Sequence, residues 1–87
     1  MTNSVAIVMG SKSDMALAEA TKEVLDGYGI GSVIKVLSAH RTPEALKEFI
    51  ETTINDGTKV FVGIAGLAAH LSGNIAAHTT LPVIGIP

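Results

Sequence analysis

The sequence predicts an α/β domain in which a parallel sheet is covered by helices. Three observations lead there. Short β-branched runs alternate with helix-length amphipathic stretches in the order βαβαβαβ. The connections between them are short and polar, as right-handed crossovers of a parallel sheet require. The chain is 47% hydrophobic but only 3% aromatic, so its core must be built from Val, Ile, Leu and Ala. Such side chains suit strands buried on both faces. All of this fits one domain over residues 1–87.

Each element has a local reason. Val5-Ala-Ile-Val-Met9 is a continuous apolar run ended by Gly10, the pattern of a central strand. Ser11 to Asp14 form a polar turn, with Ser13 as expected cap of the first helix and Asp14 in its first turn. Leu17, Thr21, Val24, Leu25 and Tyr28 then fall on one helical stripe, expected to face the core, and Gly27 and Gly29 end the helix. Ser32 to Leu37 is the second strand. Thr42-Pro43 opens the second helix, Thr42 as cap and Pro43 at the first helical position. Its apolar face is Leu46, Phe49, Ile50 and Ile54, with Glu44, Lys47, Glu48 and Glu51 outside, and Asn55-Asp-Gly57 stops it. Lys59 to Ile64 is a third strand, Leu71 to His78 a short third helix, and Leu81 to Ile86 a fourth strand with Pro82 near its start. No covering helix follows, which predicts a bare sheet face or edge there. The domain therefore reads as the first part of something larger. A chain this short buries only roughly 60% of its unfolded surface, so its stability alone is expected to be marginal.

Composition excludes several classes of function. The formal net charge is −2, with no clustered basic run, so a nucleic-acid footprint is not expected. There are no cysteines, which excludes disulfide scaffolds and thiolate metal sites. The three histidines lie in different segments without metal-ligand spacing, so no metal is expected. The longest mostly apolar run, Val60 to Ala69, is far below the roughly 18 residues of a membrane span. Met1 to Ser4 lack a secretory pattern. The expected location is the cytoplasm, with no membrane partner.

In open parallel sheets, ligands bind beyond the carboxyl ends of the strands. Three loops fall there. Gly10-Ser-Lys-Ser-Asp14 precedes a helix N-terminus, where backbone N–H groups and serine hydroxyls favour an anion. It is neither a Walker loop nor a Gly-x-Gly-x-x-Gly turn, and Asp14 could hold ribose hydroxyls. The plain alternative is a strand–helix turn with a capping serine. Ser38-Ala-His-Arg-Thr-Pro43 is the richest loop: Arg41 offers a planar fork to a phosphate, and His40 beside it is of the residue type that can exchange a proton near neutral pH. Here the alternative is a pair of solvated loop residues ahead of a capped helix. Ile64-Ala-Gly-Leu-Ala-Ala-His70 offers mainly backbone and small residues. His70 reads as an acid or base, a substrate contact, or a core histidine bonded to backbone. A serine nucleophile (Ser11, Ser13 or Ser38 with His40) lacks both a Gly-x-Ser-x-Gly elbow and an identifiable orienting carboxylate.

Together, Val5 to Asp14, Ser38 to Pro43, Ala68-Ala-His-Leu71 and Leu81 to Pro87 closely resemble one family: 5-(carboxyamino)imidazole ribonucleotide mutase, the catalytic subunit of phosphoribosylaminoimidazole carboxylase. The stretches run through the chain in that family's order. The resemblance implies a flavodoxin-like three-layer α/β/α sandwich, of which this chain would be the N-terminal βαβαβαβ portion, and a homo-octamer. It implies a step of de novo purine synthesis that moves a carboxylate from the exocyclic nitrogen to C4 of a phosphoribosyl imidazole, through CO2 and without metal, ATP or organic cofactor. It further implies that Ser11, Asp14 and Arg41 bind the ribonucleotide, that Ser13 and Ser38 assist at its phosphate, that His40 carries the proton, and that Gly66, His70 and the loop between them line the base and carboxylate pocket.

The sequence departs from that family at Ile64 and Leu67, where glycine is expected, and at Ser72, where proline is expected. Side chains there would narrow the pocket or tilt the loop. Family members are also longer, with a fifth strand and further helices. The 87-residue chain is then expected to be inactive or poorly folded by itself. Three other readings stand beside the mutase. They are a carboxylase using free CO2 and aminoimidazole ribonucleotide, a non-catalytic ribonucleotide-binding module, and a flavin phosphate binder, which the low aromatic content disfavours.

Overall fold

The computed structural model describes residues 3–38, 41–65 and 71–86. Strands β1 (Val5–Met9), β2 (Ser32–Val36), β3 (Val60–Ile64) and β4 (Val83–Ile86) form one sheet, ordered β2-β1-β3-β4, with all three pairings parallel. Helices α1 (Met15–Gly27), α2 (Pro43–Asn55) and α3 (Leu71–Ala76) connect them. The order expected from the sequence is therefore present. The strand sequence 2-1-3-4 is that of the flavodoxin-like doubly wound fold, whose chain reverses direction between β1 and β3.

Burial follows from the strands' two-residue period. Ala6 and Val8 point into one apolar cluster with Leu46 and Ile50 of α2, Leu71 and Ile75 of α3, and Phe61. Val5, Ile7 and Met9 point into the other, with Ala18 of α1, Val62 and Ile64. The sheet thus lies between α2 and α3 on one side and α1 on the other. Every residue of β1 is buried, as its uninterrupted apolar run requires.

The α1 stripe differs from expectation. Leu17, Val24 and Tyr28 face outward, at 42%, 61% and 79% exposure. Met15, Ala18 and Leu25 pack on the sheet instead. The stripe is rotated because Lys22 belongs to the inward side. Its Nζ reaches the start of β2, donating to Ser32 O (3.3 Å), and pairs with Asp26 (3.5 Å). A charged residue at the centre of the true stripe hides it from a hydrophobicity pattern. The second helix follows its expected face: Leu46 and Ile50 are buried, Phe49 and Ile54 partly so, and Thr53 joins them by spending its hydroxyl on Phe49 O (2.8 Å).

Both long helices end in the same motif. After α1, Ile30 N–H donates to Leu25 O (2.9 Å) and Gly29 N–H to Asp26 O (3.0 Å), with Gly29 at φ 72°. After α2, Thr58 N–H donates to Thr53 O (3.0 Å) and Gly57 N–H to Ile54 O (3.1 Å), with Gly57 at φ 108°. These left-handed positions are where glycine is required.

Four boundaries are shorter than the sequence suggests. β3 begins at Val60 rather than Lys59. β2 ends at Val36, although Leu37 still donates its N–H to Met9 O (2.8 Å). α3 ends at Ala76 rather than His78. β4 begins at Val83 rather than Leu81, because Pro82 has no N–H for the ladder and supplies only its carbonyl, to Phe61 N–H (3.0 Å).

α3 approaches the sheet closely where Gly63 of β3 pairs with Gly85 of β4. Ser72 sits above the pair: a Cβ at Gly63 would lie 3.2 Å from Ser72 Cα, and one at Gly85 would lie 2.9 Å from Ser72 Oγ. On the opposite face, Val5, Thr21, Leu25, Val60, Val62, Ile84 and Ile86 line an open apolar groove beside α1. Ile84 is 54% exposed there, which matches the bare face expected near the fourth strand. Among the described residues, no helix is long and apolar enough to cross a membrane.

Candidate functional site

The carboxyl ends of β2, β1 and β3 lie side by side, and each feeds one of the three candidate loops. Backbone bonds hold these ends together. Leu37 N–H donates to Met9 O (2.8 Å), Gly10 N–H to Ile64 O (3.2 Å), and Ala65 N–H to Ile86 O (3.3 Å). The site therefore straddles the point between β1 and β3 where the fold reverses direction, the usual ligand crevice of such sheets.

In the first loop the chain enters α1 through a tight 3₁₀ turn, Lys12–Asp14. Ser11, not Ser13, is the capping residue. It is extended (φ −150°, ψ 150°), and its Oγ accepts the N–H of Ser13 (3.3 Å) and lies 3.0 Å from Ser13 Oγ. The extra turn moves the cap two residues upstream of its expected place. Asp14 then occupies the cap position of α1 itself without making a side-chain capping bond. Ser11 and Ser13 are exposed and Asp14 is half-buried. The loop so presents two linked hydroxyls and a carboxylate at the N-terminus of a 13-residue helix, a place that favours an anion.

The second loop is closed on itself. Thr42 N–H donates to Ser38 O (2.9 Å), and the Thr42 hydroxyl donates to the same oxygen (3.0 Å). Ser38 N–H donates to Thr42 Oγ1 (3.2 Å), and Arg41 N–H to Ser38 Oγ (3.2 Å). Thr42 holds the cap position of α2, with Pro43 after it, but makes no side-chain capping bond. The expected cap is thus only positional, because the hydroxyl is turned back toward Ser38. A side-chain cap typically contributes about 1 kcal/mol, so the helix forgoes that in favour of the loop. The signal in the sequence was the pair Ser38 and Thr42, four residues apart and ahead of a proline. Arg41 is exposed and Ser38 half-buried.

Five candidate residues are thereby placed: Ser11, Ser13 and Asp14 beyond β1, and Ser38 and Arg41 beyond β2. His40, Gly66 and His70 lie outside the described residues. A guanidinium fork and several hydroxyls on neighbouring strand ends form a donor set suited to a phosphate, and a carboxylate nearby suits sugar hydroxyls. A cleft at the opposite end of the sheet, lined by Asn3, Val33, Thr53, Asp56 and Thr58, offers less. There Thr58 Oγ1 donates to Asn3 O (2.9 Å) and Thr53 Oγ1 to Phe49 O (2.8 Å), so both hydroxyls serve the fold.

Comparison with known proteins gives the family. The family model described as AIR carboxylase matches residues 4–87. A probable N5-carboxyaminoimidazole ribonucleotide mutase of Methanobrevibacter smithii is 52% identical over 87 residues, covering 100% of this chain and 26% of that protein. The N5-carboxyaminoimidazole ribonucleotide mutase of Haemophilus influenzae is 48% identical over 86 residues, covering 99% and 52%. Among solved structures, Treponema denticola PurE superposes with a TM-score of 0.88 at 34% identity, covering 93% of this chain and 52% of that one. Treponema denticola PurE2-S38D superposes with a TM-score of 0.93 at 33% identity, covering 100% and 55%. The chain therefore spans about half the length of most of these relatives and a quarter of the M. smithii protein. With the family model matched over nearly its whole length and its sheet superposed on both solved structures, this chain belongs to the AIR carboxylase family.

Proposed function

We propose that this chain is the substrate-binding part of an isomerase of de novo purine synthesis that converts 5-(carboxyamino)imidazole ribonucleotide to 4-carboxy-5-aminoimidazole ribonucleotide. The observation that supports this most is the pair of anion-suited loops on the adjacent ends of β1 and β2, in a chain whose relatives carry that name. In this reading Ser11, Asp14 and Arg41 bind the ribonucleotide, Arg41 at its phosphate and Asp14 at its ribose hydroxyls, and Ser13 and Ser38 assist at the phosphate. Gly66 and His70 line the pocket for the base and carboxylate.

The reaction then proceeds in two halves. The bond between the exocyclic nitrogen and its carboxyl group breaks, its electron pair stays on nitrogen and takes a proton from His40, and CO2 and an electron-rich aminoimidazole result. C4 of the ring attacks the carbon of CO2, which the site holds in place, so that proximity replaces a bimolecular capture. The proton on C4 leaves to His40 and aromaticity returns. General acid–base help of this kind contributes roughly 10²–10⁴-fold. No cofactor is required by these steps. A homo-octamer in the cytoplasm is the assembly and location that go with this reading.

A second reading has its own support, since the matched family model is described as a carboxylase. The enzyme would then take free CO2 and aminoimidazole ribonucleotide directly. Comparing turnover of the carboxyamino substrate with that of aminoimidazole ribonucleotide plus bicarbonate decides between them. Faster turnover of the carboxyamino substrate is expected. Tight nucleotide binding with no turnover of either substrate would instead make the chain a binding module.

A further inference from the structure

We infer that Thr42 is a positioning residue: its hydroxyl fixes Ser38, and through Ser38 the backbone of Arg41, so that Arg41 is presented to a phosphate-bearing ligand. The inference rests on the binding role proposed above for Arg41. A threonine just ahead of a helix that opens with proline normally turns its oxygen toward the first free N–H groups of that helix. Thr42 does not. Its hydroxyl makes two bonds, both to the Ser38 backbone: one donated to Ser38 O (3.0 Å) and one accepted from Ser38 N–H (3.2 Å). Its own N–H adds a third bond to Ser38 O (2.9 Å). Ser38 is thereby held at both its backbone N–H and its carbonyl, and its freed side-chain oxygen accepts Arg41 N–H (3.2 Å).

The chain of bonds has a fixed starting point. Leu37 is buried and tied to Met9 O of the central strand (2.8 Å). Thr42 leads into α2, whose Leu46 and Ile50 are buried against the sheet. The Ser38–Thr42 clasp so joins two rigid elements, and Arg41 is attached between them. An exposed arginine on an otherwise free loop would lose much of its binding energy to ordering on contact with a ligand. A preorganised one does not. The hydroxyl is the part of Thr42 that this requires, so serine should replace it and valine, of nearly the same shape, should not.

The test compares the wild-type 87-residue chain with T42V and T42S, using two measurements. The first is amide hydrogen exchange at Ser38 and Arg41. The second is calorimetric affinity for aminoimidazole ribonucleotide and, separately, for inorganic phosphate. In the wild type both amides should be protected. T42V should speed their exchange at least tenfold and weaken ribonucleotide binding about tenfold, with T42S recovering both. Unprotected Ser38 and Arg41 amides in the wild type would overturn the inference whether or not T42V folds. So would T42V binding the ribonucleotide as tightly as wild type, or T42S failing to recover what T42V loses. A wild-type chain with protected amides that binds no ribonucleotide would overturn the functional reading instead, and with it the ligand half of this inference.

Discussion

Replacing Gly63 by valine should destabilise the chain, and the structure sets the scale. A Cβ at Gly63 would stand 3.2 Å from Ser72 Cα, 3.3 Å from Ser72 Cβ and 3.3 Å from Ile75 Cδ1. Carbon atoms pack comfortably at about 3.5–4.0 Å, so the first added carbon is already a few tenths of an ångström too close. Two of these atoms belong to Ser72 at its Cα and Cβ, which rotamer changes cannot move away. Valine then adds two methyls in the same space. Overpacking of this kind costs about 1–3 kcal/mol. Against it stands a gain of about 0.4–1 kcal/mol from restricting the unfolded chain. The difference spans about 0–2.6 kcal/mol, and the two extra methyls of valine keep it off the lower end, at a net loss of about 1–2 kcal/mol. Each kilocalorie shifts the midpoint of a domain of this size by about 4–8 °C. Thermal unfolding followed by far-UV circular dichroism should therefore show Gly63→Val melting roughly 4–16 °C below wild type. Gly63→Ala should fall near zero, since its smaller clash is matched by the backbone gain. Gly73 in α3 is the control: a Cβ there meets nothing within 4 Å. Gly73→Ala should raise the midpoint through helix propensity, worth about 1 kcal/mol. A Gly63→Val midpoint at or above wild type, or a lowered one for Gly73→Ala, would refute the account of α3 seated on a glycine pair.

The other predictions concern the site. Arg41→Ala should remove charge-assisted bonds worth about 1.5–3 kcal/mol and weaken ribonucleotide binding by roughly 10- to 150-fold while leaving affinity for the dephosphorylated nucleoside unchanged; equal losses for both ligands in calorimetry would count against a phosphate role. His40→Asn should lower turnover at least about a hundredfold with nucleotide affinity retained, and near-normal turnover would remove His40 from proton transfer. Gly10→Ala should leave the melting midpoint within a few degrees of wild type, because the new Cβ would lie 4.0 Å from Ala65 Cβ, yet weaken nucleotide binding through its position between β1 and the 3₁₀ turn. A large drop in stability would show that Gly10 serves the fold instead.

How far the sequence could be read depended on which physical term decided each feature. β1 was legible because a strand buried on both faces must be apolar at every position, and Val5 to Met9 are. α2 was legible because its core face contains no charge. α1 was misread because Lys22 lies on its inward side, where its charge reaches Ser32 O; a charged residue there hides the stripe from a hydrophobicity pattern. The loops after β1 and β2 lie at the carboxyl ends of the strands as expected, since alternation and parallel pairing leave no other place for them. Their internal bonding was not legible. Whether Ser11 or Ser13 caps depends on a 3₁₀ turn of three residues, and whether Thr42 faces its helix or its loop goes with its own backbone, which at φ −135°, ψ 57° lies outside the extended region of an ordinary cap. Both are settled by the competition of nearly equal hydrogen bonds, which residue type alone does not resolve.

The strand order carries a consequence for how the chain comes together. β1 pairs with β2 across a separation that a single helix spans, Val5 with Ser32, but its other edge waits for Val60. The tie between Thr58 Oγ1 and Asn3 O (2.9 Å) closes at the same distance along the chain. Contacts of such long separation slow folding, because the loop must be closed before they are rewarded. During synthesis the βαβ unit of β1, α1 and β2 can form first, while one edge of the most apolar strand stays open until β3 has left the ribosome. That interval is when Val5 to Met9 are most exposed to pairing with another chain. Slowing translation between Leu37 and Lys59 should therefore lower the soluble yield more than slowing it after Ile64.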